Sequence, residues 1–258
     1  SSSFSLSLSL SQVILYFLCN TLRSLSLSHM RWPRAPLILL SPAKTLDFDR
    51  MLPQNLQHTH THTHTDTQHT NLVRQNRKLV LQAARSLSTQ QLKQLYKASD
   101  AIATDNYERF KSFEDLDERV AIGAFDGQAY AGLDALRLDA DAVDYLQGSL
   151  RMLCGLYGVL HPLDLIKPYR LEMGSKLKVG AHADLYACWG DAIRDSLNAE
   201  IAARQPAFVL NVASEEYSKV AKMRELDARV LTARFNAATV HMKQGRGELT
   251  RFCATHKV

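Results

Sequence analysis

Two rhythms of apolar residues run along the chain. Unbroken runs, PLILL at 36–40 and AFVLNVAS at 207–214, are what strands buried on both faces require, because neither set of side chains meets water. Between 71 and 113 the spacing becomes helical, with Leu72, Val73, Leu79, Val80, Ala83, Ala84 and Leu87 recurring on one side. Ser88 with Gln91 three residues later reads as a capping box that opens a second helix. AIGAFDGQAYAGL (121–133) predicts a hairpin turning at Asp126-Gly127, the pair a type I′ turn prefers. A helix is predicted over 141–153 and another over 184–205, the second weakened at Gly190. SEEYSKV begins a helix with Ser214 as its N-cap, while RVLTARF (229–235) and ATVHM (238–242) read as strands. Helices and strands interleave without the regular repeat of a doubly wound fold, which predicts a single mixed α/β domain over 30–258.

Two stretches fall outside this pattern. The opening SSSFSLSLSLSQVILYFLCN and the run HTHTHTHT at 58–65 alternate strictly between two residues, as translated dinucleotide repeats do. We read 1–29 as low-complexity and disordered; its Ser-rich, acid-free composition also resembles an organellar transit peptide, and VILYFL a short signal core. Imidazole is the commonest protein metal ligand, and His58, His60, His62 and His64 would share one face of an extended segment. They lack the supporting partners that fix a dedicated site, so 53–70 is expected to be a disordered loop with adventitious metal affinity only.

Charge sharpens the picture for the second half. The chain of 258 residues carries a net charge of +5, unevenly spread. Residues 76–150 hold 9 Lys/Arg against 12 Asp/Glu, whereas 151–258 hold 16 against 11. That excess points towards a polyanion or a phosphorylated ligand, with a solvated surface of mixed charge as the plainer alternative. The four cysteines, Cys19, Cys154, Cys188 and Cys253, show no pairing rhythm and no CxxC, which predicts free thiols in a reducing compartment. No apolar run approaches the roughly 20 residues of a membrane span.

Candidate chemistry collects at strand ends. PLILL ends at Ser41 and FVLNVA at Ser214, and ligands of α/β sheets gather at carboxyl ends of strands. Ser41, Lys44, Thr45, Asn211, Ser214, Glu216 and Lys219 are therefore candidates for one pocket. SPAKT lacks the glycines of a P-loop, and its plain reading is a strand-terminating turn with a solvated Lys. HMKQGRGELTRF (241–252) sets Lys243, Arg246 and Arg251 around Gly245 and Gly247. With a helix starting near Gly247, the glycines would admit a phosphate and an Arg could grip it; a basic surface helix accounts for the spacing equally well. No Ser-His-Asp order or HExxH spacing is present.

Five stretches together resemble the YaaA (UPF0246) family: LILLSPAKTLDF (37–48), LRMLCGLYGVLHPLDLIKPYRLEMGSKL (150–177), DLYACWGD (184–191), LNVASEEYSKV (210–220) and KQGRGELTRF (243–252). The resemblance implies a mixed β-sheet wrapped by helices, a positively charged cleft, and a helix-hairpin-helix-like element in which GLYGVL (155–160) joins two helical segments. It implies a cytoplasmic protein of peroxide stress resistance that binds DNA, with organellar targeting if 1–29 is a transit peptide. On the same likeness Lys167, Arg170 and Lys176 face phosphates and Glu172 holds Arg170; Lys44 belongs to SPAKT, and Lys243, Arg246 and Arg251 to the C-terminal basic motif. Against the family pattern the N-terminus is aberrant, and Val258 precedes the family's C-terminal strands. The expected function is non-catalytic binding of duplex or single-stranded DNA with little sequence preference. The alternative is an enzyme acting on a phosphorylated or nucleotide substrate through Lys44, Asn211, Ser214, Glu216, Lys219 and Arg246. No cofactor, metal or membrane partner is expected.

Overall fold

The computed structural model describes residues 34–57, 70–235 and 238–258. The readings of 1–29 and of the His-Thr run lie outside the described residues. Of the 53–70 stretch, Leu56 is buried in the core and Asn55 Nδ2 donates to the Leu138 carbonyl at 2.9 Å.

PLILL supplies β1 (Leu37–Leu40), whose four side chains are all buried. Such burial contributes roughly 2 kcal/mol per aliphatic side chain. After the short β2 (Thr45–Leu46) come α1 (Asn71–Arg85), α2 (Thr89–Tyr96) and α3 (Asp100–Lys111). Each of the three starts on a hydroxyl that accepts a backbone N–H: Thr70 from Val73, Ser88 from Gln91 and Ser99 from Ile102. The capping box is complete, since Gln91 Oε1 also accepts from the Ser88 N–H at 2.8 Å.

The chain continues through β3 (Arg119–Val120), α4 (Ala121–Ala124), β4 (Phe125–Asp126), α5 (Gln128–Leu133) and α6 (Ala140–Ser149). Next come β5 (Leu150–Cys154), β6 (Gly158–Leu160), β7 (Leu165–Ile166), α7 (Leu185–Trp189) and α8 (Ala192–Arg204). It ends with β8 (Val209–Asn211), α9 (Glu215–Val220), β9 (Val230–Thr232) and α10 (Thr239–His256). The main sheet has the order β6-β5-β1-β8-β9 and is mixed: β5, β1, β8 and β9 run parallel, and β6 pairs antiparallel to β5. β2 pairs with β4 and β3 with β7 in two-stranded ribbons. The fold is thus the mixed α/β class, with ten α-helices among the described residues.

Four local expectations give way to tertiary context. GLYGVL does not join two helices; it turns β5 into β6, so the expected helix-hairpin-helix is a β-hairpin at this point. Its turn needs Gly158, which has φ +78°, and an added Cβ there would lie 2.7 Å from the Trp189 ring. Trp189 Nε1 donates to the Gly155 carbonyl at 3.0 Å and fixes the turn from above. The helix predicted over 141–153 stops at Ser149, because LRMLC is fully buried beside β1, where only a strand can pair. The hairpin at Asp126-Gly127 is absent: Gly127 is extended (φ 162°), and Phe125 and Asp126 pair with Leu46 and Thr45 instead. ATVHM belongs to α10, which begins eight residues before Gly247 and packs along α5 and α6.

Candidate functional site at the carboxyl ends of β1 and β8

In the register of the sheet, Leu37 faces Val209 and Leu39 faces Asn211, so both strands release the chain at the same edge. Ser41 and Ser214 then meet. The Ser214 N–H donates to Ser41 Oγ at 2.8 Å, and the Ser41 hydroxyl donates to Ser214 Oγ at 3.2 Å. The Tyr130 hydroxyl, from α5, donates to the Ser41 carbonyl at 3.1 Å. Beneath them Asn211 is committed to structure: its Oδ1 accepts from the Ala213 N–H, and its Nδ2 donates to Ser218 and Thr232.

The segment LEMG closes the arrangement. Glu172 Oε2 lies 2.6 Å from Lys44 Nζ, and its Oε1 is 3.4 Å from Arg170 Nη2. Two residues on, the Gly174 N–H donates to Glu216 Oε1 at 2.6 Å, and the Met173 N–H donates to the Tyr217 hydroxyl at 3.4 Å. Segments 41–44, 172–174 and 214–217 therefore form a ring linked by three polar contacts: Ser41 to Ser214, Glu216 to Gly174, and Glu172 to Lys44. Lys44 is 60% exposed, so its pair with Glu172 is screened and contributes little to stability; it fixes where the ammonium sits. Lys219 stands 4.6 Å above the Tyr186 ring, whose hydroxyl donates to the Glu216 carbonyl.

Arg170 is less exposed, and its Cζ lies 5.8 Å from the ring centroid of Tyr96 at the end of α2. Burial raises the Tyr96 pKa; the Arg170 charge acts against this and the Glu172 charge adds to it. Tyr96 carried no signal in the sequence, since its partners come from a distant loop. Tyr130 and Tyr217 were missed as well, although Tyr217 lies inside the SEEYSKV stretch that marks the strand end.

The other basic candidates are placed elsewhere. Lys167 Nζ donates to the Glu114 carbonyl at 2.5 Å, and its backbone N–H donates to the Tyr157 hydroxyl. Lys176 and Lys243 are exposed. Arg251 pairs with Asp134 at 3.0 Å, at the end of α5. Arg246 is half-buried, and desolvation lowers its pKa. Gly247 serves helix packing, since a Cβ there would lie 1.7 Å from the Ala129 carbonyl oxygen and 2.6 Å from the Leu133 nitrogen. Of the glycine pair in QGRGE, Gly247 is thus read by α5 and Gly245 by the Phe235 ring, and no phosphate is needed to explain either.

Cys154 is buried, with its sulfur 2.7 Å from the Tyr169 hydroxyl, and burial pushes its pKa up. Among the described residues no three His, Cys, Asp or Glu side chains gather closely enough to hold a metal ion. No helix among them is long and apolar enough to cross a membrane.

A mixed five-stranded sheet with hydroxyl, carboxylate and cationic side chains gathered at the carboxyl ends of two adjacent parallel strands defines an α/β protein with a strand-end polar cluster. Residues 37–258 match the family described as "Peroxide stress protein YaaA", and the chain belongs to that family. It is 40% identical over 234 residues to a UPF0246 protein of Paracidovorax citrulli (strain AAC00-1), covering 86% of each chain. Similar relatives are the UPF0246 proteins of Janthinobacterium sp. (strain Marseille), 39% identical with 85% of each chain covered, and of Aliivibrio fischeri (strain MJ11), 38% identical with 86% covered.

Proposed function

We propose that this peroxide stress family member acts by binding the phosphate backbone of DNA, without catalysis, through the loop 167–178 and the SPAKT turn. The observation that carries this reading is the link from Lys44 through Glu172 to Arg170, which sets two cations side by side at the strand-end ring. Beyond Lys167, whose ammonium is held at the Glu114 carbonyl, the same loop carries the exposed Lys176 and Lys178, with Glu172 as its one acid. Glu172 orients the two cations without cancelling the local excess, and an oriented guanidinium grips a phosphate in two places at small entropic cost. Contacts of this kind give affinity without sequence preference. A mobility shift with duplex and single-stranded DNA over a salt series tests it. The reading requires binding that weakens steeply with salt, and it fails if no shift occurs at low salt.

The enzymatic alternative draws support from the order of the ring itself. Against it, among the described residues the side-chain hydrogen bonds of the Ser41 and Ser214 hydroxyls run to each other, and no imidazole or carboxylate bonds either one. A hydroxyl without an adjacent base is a weak nucleophile. Incubation with nucleoside phosphates and analysis for product release separates the two readings.

A further inference from the structure

Beside the strand-end ring, two buried polar atoms have no hydrogen-bond partner among the described residues: the Tyr96 hydroxyl and Arg170 Nε. Tyr96 is only 8% exposed, and the Arg170 guanidinium lies over its ring at 5.8 Å. Buried donors are satisfied in nearly all folded proteins, and adjacent exceptions from separate elements mark a place shaped for something else. Among the described residues the one side-chain hydrogen bond of Arg170 runs from Nη2 to Glu172 Oε1 at 3.4 Å, near the limit of a hydrogen bond. Most of the guanidinium fork is therefore uncommitted. On the outer side Lys44 Nζ stands against the other oxygen of Glu172, exposed to solvent.

The chemistry of these donors selects the ligand. Tyr O–H, Arg Nε–H and Lys N–H all donate here, and the local charge of Lys44 and Arg170 against Glu172 is positive, so the ligand is an anion with several acceptor oxygens. The depth of the Tyr96 and Arg170 donors adds a steric condition. A phosphodiester inside a strand carries a substituent on each side and offers two free oxygens to a surface. A phosphate monoester carries one substituent, offers three oxygens and reaches a second negative charge above about pH 6. A monoester can place oxygens on both buried donors while its substituent leaves through the rim, whereas a backbone diester reaches no deeper than the terminal nitrogens of Arg170.

We propose that Tyr96 and Arg170 form the floor of a slot for a phosphate monoester, with Lys44 at its rim, and that the natural occupant is the terminal phosphate of a nucleic-acid strand. This deepens the DNA-binding reading and rests on it for the identity of the occupant, because a free nucleoside monophosphate shares the chemistry. The slot makes the protein a reader of phosphorylated strand ends rather than a uniform coat on duplex.

The test compares fluorescently labelled oligonucleotides of one sequence bearing a 5′-phosphate, a 3′-phosphate or hydroxyl ends, together with AMP, by anisotropy and calorimetry at pH 7.5. The wild type should bind one phosphorylated end on the order of tenfold more tightly than the hydroxyl-ended strand, the worth of one hydrogen bond to a charged group. Tyr96→Phe, which keeps the ring and its packing, should bring that ratio close to one. Arg170→Lys should do the same by a different route, since it keeps the charge and loses the Nε–H. The preference should also shrink below about pH 6, where the monoester loses its second charge. Equal binding of phosphorylated and hydroxyl-ended strands by the wild type, with salt-dependent binding retained, overturns the slot and leaves the DNA reading standing. Binding of AMP that Tyr96→Phe abolishes, without any binding of oligonucleotides, keeps the slot and overturns the DNA reading. Absence of binding to every probe overturns both.

Discussion

The Ser214 N–H donates to Ser41 Oγ at 2.8 Å, and this bond joins the ends of two strands that are neighbours in space and far apart in sequence. It holds the SPAKT turn against the start of α9, and the rest of the ring depends on that placement. Ser41→Ala would leave the Ser214 N–H part-buried without its acceptor, at a cost of about 1–2 kcal/mol. Ser214→Ala loses only the longer hydroxyl contact at 3.2 Å and should cost less. Urea unfolding of both variants checks the order; equal losses would mean that the backbone bond carries no special weight.

The close approach of α10 to α5 gives a second expectation. Gly247→Ala would drive a Cβ into the Ala129 carbonyl and the Leu133 nitrogen, both backbone atoms that cannot swing aside. The helices must part, and overpacking of this kind costs about 1–3 kcal/mol or more. Gly148→Ala in α6 meets nothing nearer than Arg204 Nη2 at 3.7 Å. There the helix gains about 0.5–1 kcal/mol from the lost backbone freedom of glycine. Two melting curves of opposite sign are expected, and a neutral Gly247→Ala would contradict the packing.

How far this could be read beforehand depended on how local each cause was. The Ser88–Gln91 capping box and the buried run of β1 are set by residues within one or two turns, and both appear as the pattern predicts. The hairpin at Asp126-Gly127 and the strand at ATVHM failed because their partners are distant: Phe125 is claimed by Leu46, and the QGRGE glycines by Ala129 and Phe235. Within the site, Ser41, Ser214 and Glu216 were legible as residues following buried strands. Tyr96 was not, since only folding brings it under Arg170.

The thiols give a pH expectation. Burial pushes Cys253 up to about 12 from an ordinary 9.0, so the folded state holds its proton more tightly than the unfolded state. That contribution is fully present below about pH 9 and is lost as pH rises from 9 towards 12, at about 1.4 kcal/mol per unit. Cys253→Ala should remove part of the loss of stability between pH 9 and 10. The same burial at Cys154 and Cys253 keeps the reactive thiolate scarce, so hydrogen peroxide should modify both slowly and without selectivity. Rapid sulfenic acid formation at Cys154 alone would contradict this, as would an unchanged alkaline profile in Cys253→Ala.

Glu172 offers a test of orientation. Glu172→Gln keeps the shape and removes the charge that holds Lys44 and Arg170 in place. DNA affinity at low salt should rise with the added positive charge, and the preference for a phosphorylated end should fall as Arg170 loses its fixed pose. A parallel change in both quantities would show that Glu172 sets net charge alone.

The central claim, that the loop carrying Arg170 meets the phosphate backbone, is tested most directly by the salt dependence of DNA binding in Arg170→Ala beside the wild type. Each lost phosphate contact should lower the slope of log K against log salt by about 0.9 for duplex DNA or about 0.7 for single strands. The account predicts that drop in Arg170→Ala, a partial recovery in Arg170→Lys, and affinity lost about equally for all sequences. An unchanged slope together with a lowered melting temperature would contradict it, because Arg170 would then only brace Glu172 and Tyr96.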